Sequence, residues 1–291
     1  MKSFIYPEIT SLIMRNPAVS GAFYESDLDR LKKQIKGCFL SDFGPGSLPE
    51  KSRNNQIKGV VVPHAGFPYS GPCAAFCYKA IAEAEKPDLF VVLGTSHAGF
   101  GSSVSLEDWK TPLSIAKIDE DFGRALVDAG IEHNEHAHAG EHSIEVQLPF
   151  LQFILKDFRF VPILVSDDFK QVADAISKAA EKTKKKVIIL ASSDFTHFGA
   201  NYGYVPFTDN IKENMYALDK GAIDFIKKMN AEGFLKYTGE TGATICGKFA
   251  IAALLKFLKV ADVELLKYYT SADISDGNYS FAVGYAAIKF S

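Results

Sequence analysis

Short apolar runs rich in β-branched residues alternate along the chain with longer stretches whose apolar positions recur every three or four residues. The runs Val60-Val61-Val62-Pro63, Phe90-Val91-Val92-Leu93-Gly94 and Val187-Ile188-Ile189-Leu190 are bounded by turn formers and too short for helices, so they predict strands. Ser26-Asp27-Leu28-Asp29 opens a segment with apolar residues at Leu28, Leu31, Ile35 and Phe39, the pattern of a capped amphipathic helix. Further helical patterns span residues 70–84, 118–129, 143–155 and 169–182, and 208–258 is mainly helical with a break at 237–242. Residues 158–165 supply another strand, in which Pro162 predicts an edge or irregular position. Residues 263–269 and 279–288 predict closing strands, and the Gly-, Pro-, Ser- and Asn-rich stretch 41–55 a surface loop. This alternation predicts one α/β domain over residues 1–291, with a central mostly parallel or mixed sheet flanked by helices.

Three of the predicted strands run into residues that carry chemistry. His64-Ala65-Gly66-Phe67 and His97-Ala98-Gly99-Phe100 repeat one tetrapeptide directly after a strand, and the third strand ends in Ser192-Ser193-Asp194-Phe195-Thr196-His197. Ligands of open α/β sheets bind outside the carboxyl ends of the strands, so all three point to one crevice. A neutral imidazole is the commonest metal ligand, and two histidines in identical contexts point to metal binding by His64 and His97. The alternative is a pair of strand-end rings hydrogen-bonded to backbone. Gly66 and Gly99 are expected to turn the chain sharply behind each ligand. Asp194 supplies a carboxylate and His197 a proton shuttle or further ligand; the competing reading makes Asp194 a helix cap and leaves His197 in solvent.

The stretch from His133 to Glu145 is dense in potential ligands. His133, His136 and His138 are expected to be solvated or adventitious metal binders. A helix beginning near Glu141 would set His142 and Glu145 one turn apart, a short metal-binding spacing, with Glu141 and Glu145 on one face. Cys246 follows a Gly-rich turn at a predicted helix start, where amide donors and the helix dipole can lower a thiol pKa; the local pattern by itself favours a buried inert thiol over an activated one. Cys73 and Cys77 share a helix face and are expected in the core.

Composition narrows the function classes. With 291 residues, 47% of them hydrophobic, the chain can bury a large core, and its net charge of −3, with acids and bases interspersed, offers no basic field for nucleic acid. No apolar run approaches a membrane span, and the first residues lack the pattern of a secretory signal. Four irregularly spaced cysteines give no disulfide framework, so a cytoplasmic, reducing location is expected. The chain contains no P-loop and no G-x-G-x-x-G fingerprint.

Pro63-His64-Ala65-Gly66, Leu93-Gly94-Thr95-Ser96-His97, Glu141-His142-Ser143-Ile144-Glu145, Ser192-Ser193-Asp194-Phe195-Thr196-His197 and Thr244-Ile245-Cys246-Gly247 occur together and in this order. Jointly, and with the segments at residues 16–24 and 109–113, they resemble the Memo family over nearly the whole chain. The resemblance implies a fold similar to class III extradiol dioxygenases, which hold a non-haem iron with two His and one carboxylate. It implies His64, His97 and Cys246 as metal ligands, with His142, Asp194 and His197 as catalytic neighbours in the same pocket. A thiolate in place of the carboxylate softens the site toward copper, zinc or a thiolate-bound iron. The expected function is a metal-dependent redox reaction, with iron or copper as cofactor and zinc as a further option, on a small-molecule or peptide ligand. Two alternatives stand beside it: a metal-dependent hydrolase with Asp194 or Glu145 as base, and a non-catalytic module binding a peptide or an anion. Animal members of the family are linked to phosphotyrosine peptides, copper redox chemistry and cell motility. Prokaryotic members are associated with a radical-SAM protein and an AMMECR1-like protein, which the resemblance implies as pathway partners.

Overall fold

Four adjacent parallel strands form the middle of a mixed sheet, and their continuous apolar sequences follow from burial on both faces. A computed structural model describes residues 14–50 and 56–291; residues 1–13, and residues 51–55 of the predicted 41–55 loop, lie outside the described residues. In chain order the strands are β1 (Met14–Arg15), β2 (Gly59–Val62), β3 (Leu89–Gly94), β4 (Ser103–Val104), β5 (Asp108–Lys110), β6 (Ile115–Ile118), β7 (Glu132–His133), β8 (Arg159–Leu164), β9 (Val187–Ser192), β10 (His197–Gly199), β11 (Val263–Thr270) and β12 (Phe281–Phe290). The helices are α1 (Leu28–Leu40), α2 (Phe67–Ala82), α3 (Glu120–Asp128), α4 (Glu135–Ala139), α5 (Leu148–Ile154), α6 (Phe169–Thr183), α7 (Ile211–Lys227), α8 (Ala231–Thr241), α9 (Lys248–Leu258) and α10 (Ser271–Ile274).

The central order is β8-β3-β9-β2, all parallel, with antiparallel β12 closing the β2 side and also pairing β10 and β11. Strand alternation sorts the side chains into two cores. Val61, Val91 and Ile189 face α6, α8 and α9, whereas Val60, Val62, Val92 and Leu190 face α1, α2 and α5. The predicted α/β domain with a mixed, centrally parallel sheet is what forms. Among the described residues, no helix is long and apolar enough to cross a membrane.

Several boundaries differ from the sequence expectations for local reasons. Helix α2 begins at Phe67 rather than 70, because Pro68 is suited to a first helical turn. Ile118 ends β6, and Asp119 caps α3 by accepting the Phe122 amide at 3.0 Å. The stretch 143–155 is helical only from Glu145, first as a 3-10 turn and then as α5. Helix α8 runs through the predicted break to Thr241 and stops at Gly242, which adopts a left-handed φ of 67°. Pro162 lies in an interior strand, yet at an irregular point: β6 pairs β8 through Phe160, β4 takes over from Ile163, and the Pro162 carbonyl between them accepts the Ser105 amide.

One buried ion pair ties the first described strand to the loop that precedes α5. Arg15 Nη1 lies 2.8 Å from Glu145 Oε2, Nε donates to the His138 carbonyl at 2.7 Å, and Nη2 donates to the Glu141 carbonyl at 2.6 Å. Its guanidinium also stacks 3.9 Å from the centre of the Trp109 ring. Glu145 is fully buried and accepts from the Ala18 and Val19 amides and from the Tyr24 hydroxyl at 2.6 Å. It therefore forms no ligand pair with His142, contrary to the spacing-based expectation, and cannot serve as the base of a hydrolase.

His138 is a second correction, since it is fully buried rather than solvated. Its Nε2 donates to the Ser103 carbonyl at 3.2 Å, which leaves Nδ1 a bare acceptor without a partner. Burial lowers its pKa to about 4. His133 and His136 are exposed as expected.

Two predictions follow from these buried groups. Glu145→Ala, which strands the Arg15 charge, is expected to cost about 3–5 kcal/mol of unfolding free energy in urea titration; a loss under about 1 kcal/mol would contradict the role given to the pair. For His138, the unfolded chain takes up a proton near pH 6.5 that the folded protein refuses until about 4, so stability is lost as pH falls through that window. His138→Gln removes this term, and its stability is expected to fall about 2 kcal/mol less than that of the parent between pH 7 and 4.5. Identical pH slopes would contradict the assignment.

Candidate metal centre

The site lies where the sheet topology puts it, past the carboxyl ends of β2, β3 and β9. β2 leads into His64, β3 into His97, and β9 into Asp194. A loop packed over the end of β3 brings in His142. Gly94 makes that packing possible: a Cβ there would come within 2.5 Å of Ser143 Oγ, which bonds both the amide and the carbonyl of Thr95. Gly99 turns the chain behind His97 with a φ of +78°, as expected, whereas Gly66 has an ordinary negative φ of −56° and serves as the N-cap of α2.

Ligand-capable nitrogens of His64, His97 and His142 all lie within 4.8 Å of one another. The His97 and His142 rings stack at 4.4 Å between centroids, and each lies edge-on to His64 at 5.4 Å. Phe23 covers the other side of His142 at 4.7 Å.

Hydrogen bonds decide which nitrogen the rings of His64, His97 and His197 present. Ser192 Oγ donates to the Ser143 carbonyl at 2.6 Å and accepts from Gln147 Nε2 at 2.8 Å, so toward His64 Nδ1, 3.0 Å away, it can act only as acceptor. His64 thus carries its proton on Nδ1 and keeps a lone pair on Nε2. His97 Nδ1 donates to Glu141 Oε1 at 2.9 Å, leaving Nε2 for the cluster. Glu141 also accepts the amides of His97, His142 and Ser143, each at 2.8 Å, so one buried carboxylate fixes two of the three histidines. His197 Nδ1 donates to the Thr244 carbonyl at 3.1 Å, which leaves its Nε2 as an acceptor.

The electrostatics keep His64 and His142 neutral. Burial, followed by the nearby His97, lowers the His64 pKa to about 3, and burial with His64 and His97 lowers His142 to about 4. His97 is raised by its hydrogen bond to Glu141. Burial works to raise Glu141, but hydrogen bonds from His97 and from backbone amides outweigh it and hold the carboxyl well below the ordinary range. Asp194 is raised by burial, against the pull of His197 and the amides of His64 and Ala65.

Asp194 and His197 both reach the site, so neither is the helix cap or free surface residue of the alternative reading. Asp194 Oδ1 accepts the His64 amide at 2.8 Å and the Ala65 amide at 3.3 Å. Cys246 also arrives, with Sγ 3.1 Å from His64 Nε2 and accepting the Asp194 amide at 3.3 Å, although it is not one of the three clustered imidazoles. Its thiol is raised rather than lowered, by burial first and by the Asp194 charge second. The buried reading of the local pattern therefore holds over dipole activation, because α9 starts only at Lys248 and burial dominates. Cys73 and Cys77 are core residues as expected.

His64, His97, His142, Asp194 and His197 line one cavity of about 750 Å3. Sequence reasoning missed Glu141 as the partner of His97 and missed Ser192 and Gln147 behind His64. The acid directly preceding His142 was the available signal.

The Memo-like protein family model matches residues 15–289 of the chain. A MEMO1 family protein of Methanopyrus kandleri is 42% identical over 288 residues, covering 95% of this chain and 98% of that protein. A MEMO1 family protein of Methanothermobacter thermautotrophicus is 37% identical over 289 residues, covering 95% and 100%. Among solved structures, an uncharacterized protein of Escherichia coli K12 shares 9% identity at a TM-score of 0.45 over 81% of this chain and all of that one, a likeness too slight to carry an argument. With a family match spanning almost every residue that builds the site, the chain belongs to the Memo family.

Proposed function

We propose that this protein is a metal-dependent redox enzyme in which His64 and His97, through Nε2, and His142, through a ring nitrogen, hold the metal. The observation that carries this reading is the convergence of three imidazoles, two of them with Nδ1 already committed to a protein acceptor. The donor set fits a transition metal: imidazole nitrogen suits iron, copper and zinc, and the Cys246 thiol beside His64 adds a softer donor on one flank. Cys246 stands as an alternative third ligand to His142.

A bound redox metal would supply electron transfer to or from a substrate in the cavity. The protein's own residues do the rest. Glu141 holds the His97 ring and keeps its Nδ1 protonated, which strengthens Nε2 as a donor. His197, with Nδ1 tied to Thr244, accepts a proton at Nε2 from a substrate in the cavity. Asp194, whose second oxygen has no hydrogen bond among the described residues, stabilises the resulting imidazolium. Phe23 and Tyr285 restrict water at the walls. The cavity suits a small molecule or the tip of a peptide, and the four free thiols suit a reducing cytoplasm. Metal-dependent hydrolysis is the second reading, with Asp194, which accepts the His64 amide and lines the cavity, as the base.

Elemental analysis of anaerobically purified protein tests the assignment. Iron or copper near one per chain is expected, lost in His64→Ala and His97→Ala. If His142 is the third ligand, the metal is lost in His142→Ala and retained in Cys246→Ser; the reverse pattern assigns Cys246. Zinc with no redox turnover would transfer the weight to hydrolysis, and metal retained in both His64→Ala and His97→Ala would refute the site. Glu141→Gln, which removes the charge behind His97, is expected to weaken metal affinity about 10- to 100-fold in chelator competition. An unchanged affinity would contradict its role.

A further inference from the structure

Three of the most exposed large hydrophobic side chains in the described structure stand around one opening. Tyr69 is 48% exposed, Tyr202 43% and Phe281 49%, and all three line the cavity of about 750 Å3 that contains the histidines. They come from α2, from the turn after β10 and from the start of β12, so their meeting is a product of the fold. Clustered exposed aromatic faces at the mouth of a concave site are a signature of ligand recognition.

The charges around that mouth have one sign. Among the described residues that line the cavity, Asp276 at the rim and the buried Asp194 are the carboxylates, and none is Lys or Arg. His97 is already paired with Glu141. Asp276 sits on the rim loop between α10 and β12, where Oδ1 accepts the Asn278 amide at 3.1 Å. The helix that opens beside His64, α2, provides no anion cradle. Its Phe67 amide donates to the Phe23 carbonyl at 2.8 Å, Pro68 has no N–H, and the Tyr69 and Ser70 amides both turn back to the Gly66 carbonyl. An anionic group at the mouth would meet the Asp276 carboxylate and aromatic faces, with neutral hydroxyl and amide donors such as Asn278 but no cation among the described lining residues to pair with it.

We propose that the mouth of this cavity binds an organic ammonium group carried on a small apolar body, seated against the faces of Tyr69, Tyr202 and Phe281 with Asp276 as its counter-charge. Ring quadrupoles attract a cation over their faces, and a substituted ammonium loses less hydration on leaving water than a compact ion. The apolar body then points inward past Phe23 and Tyr285 toward the histidines. The inference names the ligand class for the site proposed above but requires no metal.

The test uses benzyltrimethylammonium, phenyl phosphate and benzyl alcohol as probes, titrated calorimetrically into protein as purified and after chelator treatment. Benzyltrimethylammonium is expected to bind at least about tenfold more tightly than either competitor in the chelated protein, and to weaken about three- to tenfold in Tyr202→Leu and in Asp276→Asn. Phenyl phosphate binding as well or better in the chelated protein would overturn the proposal, as would ammonium affinity unmoved by both substitutions. Both changed side chains are at the surface, and Phe281→Leu gives a third, independent reading. Because binding is read without metal, a protein that purifies metal-free refutes only the metal assignment, whereas lost ammonium selectivity refutes only this one.

Discussion

A single buried carboxylate, Glu141, organises the candidate centre. It accepts the Nδ1 proton of His97 and three backbone amides, so the strand-end loop of β3 and the loop carrying His142 are held to the same two oxygens. Removing such a group from water is costly unless every lone pair finds a donor, and here the donors belong to the residues whose placement matters. Two of the three imidazoles are thereby fixed relative to each other. The third, His64, is fixed from behind by Ser192 and Gln147.

Around this shell the fold supplies rigidity in layers. Arg15 reaches the carbonyls of His138 and Glu141 and pairs with Glu145, so the loop bearing the carboxylate is pinned on its far side as well. Below, the parallel strands that end at the site are packed on both faces, which leaves the strand ends little freedom. A further buried carboxylate, Asp219, accepts the Thr196 amide and hydroxyl and the Tyr268 hydroxyl, and so holds the loop between Asp194 and His197. Buried polar networks of this kind specify one arrangement when fully satisfied.

Much of this was legible in the chain itself. His64, His97, Asp194 and His197 follow apolar runs that can only be strands, and sheet topology then gathers strand ends into one crevice. The resemblance to the Memo family added Cys246 and His142, both of which reach the neighbourhood of His64. What local pattern could not supply was pairing over long separations. Arg15 with Glu145 spans 130 residues, Glu141 with His97 spans 44, and the spacing of His142 and Glu145 pointed the wrong way because Glu145 faces the opposite side of the loop. His138 looked solvated among polar neighbours, yet its ring fills the space between Ser103 and Trp109. The thiol of Cys246 follows the buried reading of its local pattern rather than the dipole-activated one, since burial outweighs the helix start.

The central claim is that His64 and His97, through Nε2, and His142, through a ring nitrogen, converge on one metal site. Anomalous diffraction from crystals of metal-loaded protein, recorded at the absorption edge of the metal, measures this directly. The account predicts one strong peak within about 2.0–2.3 Å of His64 Nε2, His97 Nε2 and a ring nitrogen of His142. A peak bound at other residues, or none at that cluster in fully loaded crystals, would contradict it.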